Sequence, residues 1–467
     1  MRALAVASVL VALASPGVVR AGPHRHVTVH GPRQLTRPGP TEAELRSWLE
    51  MLRGGDARLC TLAVDRLEQG RWDFGRGRLS GEEAPAPLGR GPVKEPAALG
   101  LLADALGDSR ACVRRAAATW LGDSLAPEAL TRLSAALKSA SPAVREAAAY
   151  GLGVHGEGAA RDELAAALRD GAAPVAAAAA WALGRSEDPR NTGPLKTALQ
   201  HGDPAVRRAA AEALGQSEDP AAVDPLLARR QDPDAGVRAE IAGALGRIED
   251  RRAVPALLGL ATDKDAEVRE EALGALARLE DPRALEVARA ALSDSVPDVR
   301  HAALRALGSL EDPRTLSAVS TALGDSEPDI RAEAARALGR LEDPRAAPAL
   351  SRAAKDAVTE VRVASVEALG EIEGLGSTPT ALLDATKDPV PEVRVAAAER
   401  LQAFSRDAAV VRRLTALMQD GDRGVRRAAA ESLIHVDSSE ARAALRAALS
   451  DADTGVRRAA ARGLGRQ

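Results

Sequence analysis

Aromatic residues are almost missing from this chain: its 467 residues include four tryptophans, two phenylalanines and one tyrosine. Sheets draw on aromatic and β-branched side chains, so a composition whose apolar part is Ala, Leu and Val excludes a sheet-built core and points to close-packed helices. An excess of one charge is missing too, with 63 Lys and Arg against 66 Asp and Glu. That excludes the phosphate neutralisation on which sequence-independent nucleic-acid binding depends, so no nucleic-acid partner is expected. Cysteine is limited to Cys60 and Cys112. No Cys–His or Ser–His pair falls in a recognisable nucleophile motif, and no glycine-rich phosphate loop is present.

Long apolar runs are confined to the start. Met1-Arg2 is followed by the apolar stretch Ala3–Ser15, the break Pro16-Gly17 and the small-x-small pattern Val19-Arg20-Ala21. This is the pattern of an export signal, and the run falls short of the roughly 20 residues a membrane span needs. The expectation is a signal peptide over 1–21 and a periplasmic or secreted mature protein with no membrane span. A leader over 22–40 carries His24, His26 and His30, which read as part of a disordered segment rather than as a metal site. No cofactor is expected.

What fills the remainder is a ruler. A Val-Arg dipeptide or a close relative recurs at Val113, Val144, Val175, Val206, Val237, Val268, Val299, Ile330, Val361, Val393, Val425 and Val456. The spacing is 31 residues except for two steps of 32 around Val393, and a leucine follows each anchor by eight. Twelve copies in phase are a tandem array over 94–467, each copy numbered here by its anchor. In repeat 7, Asp281 is a natural N-cap and Pro282 a first helical residue, so a helix runs to about Ser293. A turn at Asp294–Pro297 leads into a second helix, whose apolar residues at offsets 0, 4, 7 and 8 from the anchor share one face. Gly308 is read as the positive-φ residue that stops it.

Two segments precede the array. Residues 41–69 read as a degenerate capping repeat, with Leu59 and Leu67 eight apart, and 70–93 as a Gly/Pro/Arg-rich surface loop. If the cap stacks on repeat 1, Cys60 and Cys112 fall on neighbouring helices near one level. A disulfide would then fasten the cap, provided the helices approach closely enough. Near Gly374–Pro379 the Glu-Asp-Pro start is lost and both long spacings lie close by, which predicts a local change in curvature.

The units resemble HEAT repeats in the short form of phycobilisome-lyase-like proteins. The matching signature is an Asp five residues before the anchor and an Arg just after it: Asp294 with Arg300, Asp325 with Arg331, Asp356 with Arg362. The resemblance implies an all-α solenoid, a right-handed superhelix of helical hairpins whose second helices line the concave surface, with the Asp and Arg forming a ladder between units. It carries fold and not activity. Deoxyhypusine hydroxylase, an enzyme of this repeat class, presents His-Glu dipeptides to iron, and this chain has none. Bilin-lyase-like activity and a purely structural spacer stay open as alternatives to a non-catalytic scaffold that binds a protein or peptide.

One local irregularity suggests where. Offset 6 lies opposite the buried arc and is mostly Glu, Arg or Gly, but repeats 2 and 3 place Tyr150 and Trp181 there. The expectation is an exposed aromatic pair about 10 Å apart on adjacent helices, rimmed by Glu146, His155, Arg115 and Arg208. The same region loses ladder residues, with Ser139 and His201 in place of Asp and Ala176 in place of Arg. A binding patch, decay of the repeat, and aromatics covered by the 70–93 loop are the readings this pattern allows.

Overall fold

The computed structural model describes residues 39–55, 92–124, 126–156, 158, 160–186 and 188–466. The expected signal peptide, most of the leader, the 70–93 loop apart from its last two residues, and the second half of the capping repeat with Cys60 lie outside them. The described chain is an α-solenoid of paired helices. Repeat 7 shows how a unit is made. Asp281 caps a short 3-10 turn, Pro282–Ala284, by accepting the Arg283 N–H, and the first helix proper is Leu285–Ala291. The second helix, Pro297–Leu310, buries Val299, Ala303 and Leu307 fully. A leucine so buried contributes about 1.5–3 kcal/mol.

Second helices pack on one another from Ala111–Gly122 to Thr454–Arg466, whereas successive first helices barely meet. The layer with the tighter spacing must lie on the inside of the curve, so the second helices form the inner face and the first helices the outer one.

The glycine one residue after the recurring leucine does not stop the helix by a positive φ. The helix runs past Gly308 to Leu310, and the residue that turns it is Glu311, at φ 48°. Glu218, Glu249, Glu280 and Glu342 repeat this left-handed turn. The glycine instead allows close approach. A Cβ on Gly215 would stand 2.7 Å from Ala244 Cα, and one on Gly246 would stand 2.6 Å from Ala275 Cβ. Small residues at offset 7 of the next repeat fill that contact.

An Arg–Asp ladder ties the turns together. Arg300 Nε and Nη2 donate to the two oxygens of Asp325 in the next repeat at 2.8 and 2.9 Å, and its Nη1 donates to the carbonyl of Asp294 in its own repeat at 2.9 Å. Asp325 Oδ1 also accepts the Glu327 N–H at 2.9 Å, satisfying a helix-start donor. Eight consecutive rungs of this kind run from Arg207–Asp232 to Arg426–Asp451. Around Gly374–Pro379 the preceding helix ends at an extended Ile372 and Gly374 adopts φ 71°. The ladder crosses this join, Arg362 reaching Asp388 at 2.8 Å over 26 residues rather than 25.

At the N-terminal end, Thr41 and Glu44 form a capping box that starts helix Glu42–Gly54. This helix packs on the first helix of repeat 1, Pro96–Ala105, and its Arg53 supplies a first rung to Asp108 at 2.6 Å. Trp120 occupies an offset that is alanine in most copies and is buried close to this end of the core. Cys112, on the second helix of repeat 1, is partly buried against the core and in disulfide-bonded form.

Candidate functional site

The inner face is built by offsets 3, 6 and 10 of the second helices, the positions left over once the buried arc and the ladder arginine are placed. In repeats 1 to 3 it carries an aromatic column. Arg115 lies over the Tyr150 ring with its guanidinium carbon 3.1 Å from the centroid. Tyr150 stacks on Trp181 at 4.7 Å between centroids and 17° between planes, and Arg185 closes the far side at 5.2 Å.

This corrects the exposed pair expected from the sequence. Tyr150 is only 4% exposed and the rings are in contact, because each leans along the helix surface and bridges the gap that the backbones leave. Offset 6 is solvent-facing only where the side chain there is too short or too polar to fold over its neighbour. Trp181 remains half-buried. Of the expected rim, Arg115 joins the column. His155 turns to the helix end, where Nδ1 donates to the Gly122 carbonyl at 3.2 Å. Glu146 and Arg208 stand outside the column and make no hydrogen bond to it. Arg185, which sequence reasoning missed, could have been found from offset 10, one helical turn beyond Trp181.

The second feature was missed altogether. Repeats 5 and 6 place Gly243 and Gly274 at offset 6, and charged residues crowd the space left at Gly243. Glu271 leans back over repeat 5, its Oε2 3.0 Å from where a Gly243 Cβ would sit, while nothing lies within 4 Å of the same position on Gly274. Arg247 pairs with Glu240 at 2.6 Å. Glu271 and Arg278, seven residues apart on one helix, form no ion pair among the described residues. Burial pushes the Glu271 and Glu212 carboxyls above the ordinary glutamate value, with the nearby Glu240 adding to it. Burial likewise depresses Arg278, against the pull of Glu271. Glu271 and Arg278 are thus partly desolvated, and each is only partly offset by the opposite charges beside it, Arg247 among them.

Among the described residues no cluster of His, Cys, Asp and Glu is arranged to hold a metal ion, and no helix is long and apolar enough to cross a membrane.

A family model for HEAT repeats matches residues 97–177, 161–240, 223–301, 285–370 and 379–466. No curated protein sequence matches the chain. Among solved structures, the complex of CpcE and CpcF of phycocyanin lyase from a Nostoc species is 24% identical over 48% of this chain and 92% of that one, at TM-score 0.33. A mutant of Kap121p is 15% identical over 91% of this chain and 53% of its own, at TM-score 0.50. Kap95p, whose binding induces the switch loops of RanGDP to adopt the GTP-bound conformation, is 15% identical over 91% of this chain and 66% of its own, at TM-score 0.52. The chain therefore spans about half of one of these two and just under two thirds of the other, and the likeness to them is one of fold.

Proposed function

The chain belongs to the HEAT-repeat family, and from that premise we propose that it is an exported, non-catalytic scaffold that binds a protein or peptide along its inner face. The observation that carries this reading is the open position at Gly274 on the inner face, flanked by Glu271 and Arg278, two opposite charges on one helix, both partly desolvated. Mixed charge along a long concave surface suits a protein or peptide rather than a polyanion. That Kap95p acts on RanGDP from a solenoid of this shape is in keeping with a protein partner. Export rests on the signal pattern at 1–21.

A photo-cross-linking residue at position 274, compared with one at the outer-face position 289, tests the reading in the exported fraction. Adducts are expected from 274 and not from 289. Adducts of equal yield from both, or from 289 alone, would remove the inner face as the binding surface.

A further inference from the structure

The ladder has one complete gap. Arg of repeat n binds Asp of repeat n+1, so the residues facing each other between repeats 3 and 4 are Ala176 and His201. Both members of this rung are replaced. Between repeats 1 and 2 only one member is lost, Ser139 opposite Arg114, and there Arg115 on Tyr150 ties the two units. Repeats 2 and 3 keep both a rung, Arg145–Asp170 at 2.7 Å, and the Tyr150–Trp181 stack. From repeat 4 onward the rungs are continuous. Repeats 1–3 and 4–12 are thus two laddered blocks that meet at a joint without a rung.

We propose that the joint between repeats 3 and 4 is a hinge that opens on the outer edge of the solenoid, with the inner helices as its pivot. The inner contact is intact, since Ala173–Gly184 packs on Pro204–Gln216 as closely as its counterparts do elsewhere. A Cβ on Gly184 would stand 2.6 Å from Ala213. The outer edge is open. A groove of about 720 Å³ separates the first helices Arg161–Ala167 and Thr192–Ala198, with Asp162, Arg169, Thr197 and His201 on its walls.

The core beneath the joint is also more polar than its equivalents. Asn191 and Thr192 stand where the next repeats have Ala222 and Val223, or Ala253 and Val254. Asn191 is buried with its Oδ1 unmatched, and Arg161 Nε across the joint is unmatched as well. Such groups lose less on meeting water than alanine and valine do, so opening there costs less. Among the described residues the ties that remain are Asn191, whose Nδ2 donates to the Leu183 carbonyl at 2.9 Å, and Arg161, which donates to the Arg190 carbonyl at 2.8 Å and approaches Asp188 at 3.9 Å.

Spin labels at equivalent offsets test this by pulsed dipolar distance measurement, with Cys60 and Cys112 replaced by serine. Labels on Arg169→Cys and Gln200→Cys straddle the joint, and labels on Ser293→Cys and Gly324→Cys straddle the braced joint between repeats 7 and 8. The first pair should give a distance distribution at least twice as wide as the second. Restoring the rung with Ala176→Arg and His201→Asp should narrow it to the width of the second pair. Should that variant misfold, the reverse one decides: Arg300→Ala with Asp325→Ala should widen the 293/324 distribution toward that of 169/200. Equal widths in the parent, or no widening when the rung at 7/8 is removed, would overturn the hinge.

Discussion

Arg269 and Asp294 meet through two hydrogen bonds of 2.8 and 2.9 Å across the boundary of repeats 6 and 7, while the Asp294 carbonyl accepts a bond from Arg300. Each aspartate therefore serves three masters: the arginine before it, the arginine after it, and the first amide of its own second helix, on Val296. Because the pair is largely shielded from water, removing one partner strands the other. Asp294→Ala should lower unfolding free energy by about 3 kcal/mol, and Arg269→Ala with Asp294→Ala by less than the sum of the single changes. Denaturant titration of the four proteins in the cycle gives the coupling directly.

Acid should act on the same carboxylates. The Arg269 bond holds Asp294 below the usual aspartate value, and bonds from Arg283 and Arg190 take Asp281 and Asp188 to about 2. A lowered folded value means stability present above the ordinary pKa and lost as pH falls through the folded one. Glu212 and Glu271 run the other way: raised values mean that their ionised forms burden the fold, and this burden lifts as they protonate. The melting temperature should rise slightly from pH 7 toward about pH 5 and fall steeply below about pH 4. A melting temperature that declines steadily from pH 7 would contradict the assignment of the inner glutamates.

Two glycines separate packing from propensity. Gly246→Ala should cost about 1–3 kcal/mol, because the added methyl meets Ala275 of the next repeat. Gly274→Ala meets nothing and lies within helix Ala266–Leu279, so it should gain about 0.5–1 kcal/mol from helix propensity. Thermal unfolding of the two variants should therefore move in opposite directions.

Glu311 holds a left-handed conformation at φ 48°. L-residues pay about 1 kcal/mol there and glycine does not. Glu311→Gly should raise stability by up to that amount, partly offset by the greater freedom of glycine in the unfolded chain.

The repeat was legible in the sequence because each unit needs the same apolar arc, the same N-cap and the same ladder residues, and twelve copies make the phase plain. Gly308 shows where legibility ended. A helix stop and a close contact both select glycine, and only what lies opposite, the Arg340 guanidinium at Gly308 and an alanine at Gly215 and Gly246, tells them apart. The turning residue, Glu311, carries no sequence signal of a left-handed conformation. Tyr150 and Trp181 were placed on the correct helices and offset, but their burial depends on how far a flat side chain reaches over the next unit. The inner-face pair Glu271 and Arg278 went unnoticed because charge on a helix is ordinary, and what sets these two apart is their partial desolvation. The gap at Ala176 and His201 was visible as two separate losses; that they face each other follows only from the step of one repeat between Arg and Asp.

The central claim is that the inner face reads a partner through its partly buried charges. The most direct measurement is the affinity of the protein cross-linked through position 274 for three variants of equal helicity: Glu271→Lys, Arg278→Glu and the outer-face Arg289→Glu. The account predicts that each inner reversal weakens binding at least tenfold and that the outer one leaves it unchanged. Inner reversals that bind as the parent does, or an outer reversal that abolishes binding, would contradict it.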